Sequence, residues 1–190
     1  MSGIFKAYDI RGVYPADINA DIAEAIGRAY IEFTGAKKVV VGRDMRPHSQ
    51  PLFEGLSRGM LAQGADVIDL GLCSTPMSYF ANGTLKADGS VMITASHNPA
   101  CDNGIKIFAA DGFKLPDDVE LEIEKHILDP ELRERHVPCD RIGKAYRIDD
   151  ARGRYIEFAK SSIRNLSLRG LKIVLDCANG GAYSIAPLIF

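Results

Sequence analysis

Between Asp21 and Ala109 the apolar residues switch repeatedly between two spacings, and that switching restricts the chain to a layered α/β fold. Ile22, Ala25, Ile26, Ala29, Tyr30 and Phe33 recur at the three-to-four spacing of one helix face. Asp21, with Glu24 three residues on, has the form of a capping box, and Gly35 is placed to end the helix. Lys38 to Gly42, with Val39, Val40 and Val41 in a row, predicts a strand covered on both faces. Leu52, Phe53, Leu56 and Met60 return to helical spacing as far as Gly64, and Asp66 to Gly71 alternates as a strand. Pro76 to Leu85 predicts a further helix, and the short apolar runs Val91–Ile93 and Ile105–Ala109 predict two more strands. The expected architecture is α/β/α layers around a mixed sheet of about four strands.

After Pro116 the character changes. Asp117 opens an acidic helix through Ile127, residues 130–138 are charged and weakly patterned, and Arg141 to Ile148 predicts a short edge strand. A helix from Asp150 to Ile163 then leads to an apolar run, Leu171 to Asp176, read as a strand that Asn179-Gly180-Gly181 closes into another helix. This divides the chain into a domain over 1–148 and, over 149–190, a linker helix with the start of an incomplete second α/β domain. An apolar strand without its own sheet is expected to pack on the first domain or to pair with its copy in another molecule.

With 190 residues, 46% hydrophobic and 25% charged, the chain is long enough to bury a real core. Its net charge of −2 gives no bulk attraction to nucleic acid. Cys73, Cys101, Cys139 and Cys177 show no C-x-x-C spacing and read as free thiols of a reducing cytoplasm. No segment approaches membrane-spanning length. The expectation is a cytoplasmic protein without nucleic-acid or membrane partners.

The chemistry concentrates in Ile93-Thr94-Ala95-Ser96-His97-Asn98-Pro99, followed by Asn103-Gly104-Ile105-Lys106. Asn98-Pro99 forces the chain out of its strand, so Ser96 falls at or just past a strand end, where backbone N–H groups lose their ladder partners and can hold an anion. A turn serine commonly does no more than hydrogen-bond its own backbone. Here a hydroxyl, His97, Lys106 and free amides share one bend, a set suited to phosphate. A Ser–His hydrolase fails on geometry, because adjacent side chains of an extended segment point to opposite faces and a base must approach to about 2.6–3.2 Å. No G-x-S-x-G elbow is present.

The T-A-S-H-N-P run with N-G-x-K, together with Ala7-Tyr8-Asp9-Ile10-Arg11-Gly12 and Val41-Gly42-Arg43-Asp44-Met45-Arg46, resembles the α-D-phosphohexomutases. The A-Y-D-I-R-G form is similar to their phosphomannomutase/phosphoglucomutase branch; phosphoglucosamine mutases usually show T-D-G-x-R-G there. The resemblance implies interconversion of hexose 1-phosphate and hexose 6-phosphate through a phosphoserine and a bisphosphorylated sugar. Mannose or glucose is the implied sugar, with glucosamine phosphate as the alternative. Ser96 would carry the phosphoryl group and, through it, give one ligand to Mg²⁺. His97 would orient the turn or touch the transferring group, and Lys106 would act as acid/base group or as a cation. Arg11, beside Tyr8, would be the charge partner of the phosphoryl group, with Asp9 fixing Arg11 or the turn. Asp44 would tie its loop down, Arg43 would support the Ser96 turn, and Asn98, Asn103 and Gly104 would shape the loop. The family's D-G-D-G-D-R metal loop does not occur in the sequence. The chain is therefore expected to be part of a longer protein, and alone to be inactive or to bind only phosphate or partners. A phosphatase is disfavoured, since no carboxylate cluster for a two-metal site is evident.

Overall fold

The computed structural model describes residues 3–6, 9–127, 129, 131, 135–164 and 166–190. Among these residues seven strands form one mixed sheet: β1 (Phe5–Lys6), β2 (Asp9–Val13), β3 (Lys38–Arg43), β4 (Asp66–Leu72), β5 (Gly89–Ile93), β6 (Asp102–Ala109) and β7 (Ala145–Arg147). Their spatial order is β1-β2-β6-β5-β3-β4-β7. β5, β3, β4 and β7 run parallel, while β6, β2 and β1 are added antiparallel. The sheet is thus larger than the four strands expected. The segment carrying Asp9 and Arg11 shows no strand pattern in the sequence. It is strand β2, with Ile10 opposite Ile105 and Arg11 opposite Gly104. Its apolar content is too low for periodicity to reveal a strand; its partner β6 supplies the pairing.

Helices α1 (Ala20–Thr34), α2 (Ser49–Ala62) and α4 (Asp117–Ile127) cover one face of the sheet, and α3 (Thr75–Leu85) with α5 (Ala151–Ser161) covers the other. Strand alternation divides the core accordingly. Val39, Val41, Val91, Ile93, Ile105 and Ile107 pack with Ile26, Leu52 and Leu56 on the first face, whereas Val40, Met92 and Phe108 pack with Met77 and Ala81 on the second. Each such side chain contributes roughly 1.5–3 kcal/mol on burial. Asn19, not Asp21, caps α1, accepting the N–H groups of Asp21 and Ile22 at 3.1 and 3.0 Å; Gly35 ends it in the left-handed region. Of the four thiols, Cys73 is buried, and burial raises its pKa to about 12, which leaves it unreactive at neutral pH.

The chain leaves β3 through α2 on one face to reach β4, then returns through α3 on the other face to β5, on the opposite side of β3. The carboxyl ends of β3 and β5 therefore flank a topological switch point, where α/β folds open a crevice. Residues 171–177 are not a strand: without a sheet of their own they run irregularly, followed by turns and a short α6 (Ala186–Ile189). The apolar side chains of that run, Leu171, Ile173, Val174 and Leu175, stay exposed, while the elements on either side of it pack on the sheet's second face, Tyr155 and Phe158 of α5 against Phe80 of α3, and Ile185 buried.

The helix pair α1/α2 approaches through glycine. A β-carbon added at Gly59 would lie 2.1 Å from the Glu24 carbonyl oxygen, and one at Gly27 would lie 2.3 Å from that of Leu56. Gly→Ala inside a helix ordinarily gains up to about 1 kcal/mol. Here Gly59→Ala is expected to lower stability by about 1–3 kcal/mol, because the backbones must separate. Urea denaturation of the two chains checks the sign.

Candidate active site

The loops meeting at the carboxyl ends of the parallel strands form the site. Asp44 donates its backbone N–H to the Ile93 carbonyl at 3.0 Å, which carries the β3–β5 alignment one step past the strands. The chain then bends at Thr94, whose Oγ1 accepts the Ser96 N–H at 2.9 Å. Ser96 is exposed and adopts φ +56°, in the left-handed region. That conformation corrects the argument from extended geometry. Ser96 Oγ and His97 Nδ1 lie on the same side at 3.4 Å, still outside the distance a general base needs.

Charge is organised around Asp9, a carboxylate only 4% exposed. Its Oδ2 accepts Arg11 Nε at 2.8 Å and Arg11 Nη2 at 2.7 Å, and pairs with Lys106 Nζ at 3.0 Å. Arg11 Nη1 reaches the Asn98 side-chain oxygen at 2.6 Å, and Asn98 Nδ2 donates to Asp102 at 2.8 Å. Two cations are thereby held beside the Ser96 loop by one buried anion. Tyr8 lies outside the described residues.

Arg43 does not support the Ser96 turn. Its guanidinium donates to Asp69 at 2.7 Å and lies 4.7 Å from the Phe53 ring centroid, so its side chain is committed on the β4 side of the sheet. The support comes from Arg46, whose guanidinium donates to four carbonyl oxygens of the 96–102 segment and to Asp44. Asp44 also accepts Ser49 Oγ at 2.7 Å. Asn103 is fully buried and donates to Ser49 Oγ at 3.0 Å, makes a 2.8 Å contact with His48 Nδ1, and accepts the Gly104 N–H at 2.8 Å. His48 Nε2 lies 3.0 Å from the Ala100 carbonyl, and its ring stacks on Tyr14. A β-carbon at residue 104 would sit 2.4 Å from the Ile10 oxygen, so glycine is what allows β2 to pair there. The second arginine of the G-R-D-x-R run was a visible signal for Arg46. Nothing in the sequence around His48 announced its part.

Ser96, Thr94 and Thr75 line two adjoining depressions. One, of about 940 Å³, is walled by Arg46, His97, Asn98 and, across it, Ala178, Asn179, Gly180 and Tyr183. The other, of about 400 Å³, is lined by Lys106, Lys114, Tyr79 and Phe108. Ser96 therefore borders open space on both sides, with Lys106 and Lys114 lining the smaller depression. Among the described residues, no group of three His, Cys, Asp or Glu side chains converges as a metal ion would require. Nearby Asp44 and Asp102 are already engaged by Arg46, Ser49 and Asn98.

Residues 2–134 match the sequence family described as phosphoglucomutase/phosphomannomutase, alpha/beta/alpha domain I. The chain is 45% identical to a phosphoglucosamine mutase of Syntrophotalea carbinolica, over 98% of its own length and 42% of that protein. It is 44% identical to that of Citrifermentans bemidjiense, over 100% and 43%. Among solved structures, a phosphoglucomutase/phosphomannomutase family protein from Burkholderia thailandensis superposes with a TM-score of 0.74 at 33% identity, covering 86% of this chain and 36% of that one. An α/β/α domain with the Ser96 turn at its switch point is thus joined to a specific lineage. The chain belongs to the α-D-phosphohexomutase superfamily, and it spans less than half the length of these curated relatives.

Removing the shared carboxylate is the direct check on this charge arrangement. Asp9→Ala is expected to cost about 1–3 kcal/mol, since Arg11 and Lys106 lose a hydrogen-bonded anion but keep partial access to water. Thermal denaturation at two salt concentrations measures it; an unchanged Tm would show that Asp9 holds neither cation.

Proposed function

We propose that this chain is the phosphoryl-carrying domain of a phosphohexomutase, with Ser96 as the carrier. The observation behind this is the left-handed Ser96 turn, its hydroxyl open to the cleft and Arg11 and Lys106 held beside it by Asp9. In the forward step the bond between phosphorus and Ser96 Oγ breaks, a bond from phosphorus to a sugar hydroxyl oxygen forms, and the proton that hydroxyl gives up is balanced by one taken up at Ser96 Oγ, which is left as a neutral hydroxyl. The bisphosphorylated sugar then returns its other phosphoryl group to Ser96. Phosphoryl transfer depends almost wholly on positioning and on charge stabilisation. Arg11 and Lys106 supply charge, and the loop amides and Asn98 set direction. Lys106, ion-paired to Asp9, acts in this scheme as a cation. Mg²⁺ belongs to the scheme through the family resemblance alone, and this chain would offer it at most the phosphorylated oxygen of Ser96.

Two observations bear on the sugar. The A-Y-D-I-R-G form favours mannose or glucose phosphate, while the relatives' names favour glucosamine phosphate. Comparing kcat/KM for glucosamine 6-phosphate and mannose 6-phosphate in the longer protein would separate them.

For the carrier itself, the chain can replace its matching segment in a phosphoglucosamine mutase relative. The chimera is expected to turn over, with phosphate on the Ser96 peptide by mass spectrometry. Ser96→Ala is expected to lower turnover by about a thousandfold or more. A chimera that stays active with Ser96→Ala would refute the assignment. The 190-residue chain alone is expected to show negligible turnover.

A further inference from the structure

Ser96 occupies a conformation that its own β-carbon opposes. At φ +56° the side chain crowds the backbone, which is why glycine, and to a lesser degree asparagine or aspartate, populates this region. Two local bonds brace the turn, the Ser96 N–H to Thr94 Oγ1 at 2.9 Å and the Asn98 N–H to the Ala95 carbonyl at 3.1 Å, but neither engages the Ser96 carbonyl.

The compensation lies fifty residues earlier in the sequence. An arginine side chain has five N–H donors in one plane, and at Arg46 each has its own acceptor. Nη1 donates to the carbonyls of Pro99 at 2.6 Å and Asp102 at 2.9 Å. Nη2 donates to those of Ser96 at 3.1 Å and Asn98 at 2.8 Å, and Nε to Asp44 at 3.1 Å. The Arg46 side chain is 12% exposed; its bonds to Asp102, Asn98 and Asp44 are partly buried, and those to Pro99 and Ser96 lie at the surface. Four carbonyls drawn to one planar cation define the peptide orientations between 96 and 102. The Asp44–Ser49–Asn103 chain in turn ties the cation to α2 and β6.

We infer that Arg46 is the positioning residue that holds Ser96 in the left-handed conformation and thereby presents its hydroxyl to the cleft. Its functional meaning rests on the reading of Ser96 as phosphoryl carrier, but its physical content does not. A lysine cannot substitute, since an ammonium has three donors that do not lie in a plane.

Thermal denaturation of the 190-residue chain in a double-mutant cycle tests the inference. Ser96→Gly relieves the strain and is expected to raise Tm by roughly 2–4 °C. In the Arg46→Lys background the turn has already relaxed, so Ser96→Gly is expected to leave Tm unchanged. An equal rise in both backgrounds would show that Arg46 is only a tie, and no rise in either would show that Ser96 is unstrained; both overturn the inference. If Arg46→Lys gives no cooperative transition, Asp44→Asn serves as the second perturbation. It loosens the guanidinium without removing it, and a smaller coupling of the same sign is expected; additivity there overturns the inference too.

In the chimera, Arg46→Lys is expected to lower kcat at least about tenfold with KM for the sugar phosphate unchanged. A rise in KM alone would make Arg46 a binding residue and count against positioning. Should Ser96→Ala leave the chimera active, the carrier assignment falls, while the thermal cycle still decides the role of Arg46.

Discussion

The parallel pairing of β3 with β5 is the constraint on which the cleft depends. Val39 lies opposite Gly89 and Arg43 opposite Ile93, and β5 is buried along its whole length. Because that register is held from both faces, the two chains leaving the sheet begin side by side. A slip of one residue would turn Val39 and Val41 to the wrong layer and carry Arg46 about 3.3 Å out of place. The Arg46 clamp, the Ser96 turn and the start of α2 all inherit their positions from this pairing. The apolar core thus acts on the site by fixing where its loops begin.

Around that frame, charge is arranged with few anions. Asp9 holds Arg11 and Lys106, and Asp69 holds Arg43 and Arg147. Partly buried ion pairs of this kind contribute little net stability, because desolvation offsets much of the attraction. They do fix direction. Asp69 ties edge strand β7 to β3 across β4, and Asp9 turns two cations toward the loop of Ser96. The first arrangement serves the sheet and the second serves the cleft, although the two look alike in sequence.

Much of the layer pattern was legible from local spacing. The helices over 20–34, 49–62, 75–85, 117–127 and 151–161 and the central strands follow from it, since each buries a face whose period is visible over a few turns. Strand β2 was not legible, because three of the five residues Asp9-Ile10-Arg11-Gly12-Val13 are polar or glycine and its pairing is with a partner about ninety residues away. The run 171–175 misled for the complementary reason. Its apolar pattern is that of a strand, but it pairs with neither edge of the described sheet, β1 or β7, and hydrogen-bond partners, not pattern, make a strand.

The sequence by itself determined the α/β class, the place of Ser96 at a strand exit, and the presence of an anion-suited hydroxyl and cation set beside it. All of these depend on residue order within a short window. Only the tertiary structure decided which arginine serves the turn. Arg43 and Arg46 are three residues apart at one strand exit, yet the first faces Asp69 and Phe53 and the second faces the 96–102 loop. The left-handed Ser96, the sharing of Asp9 and the involvement of His48 and Asn103 were likewise decided there. Each is a contact between segments tens of residues apart, set by sheet order and register, and no local period carries that information.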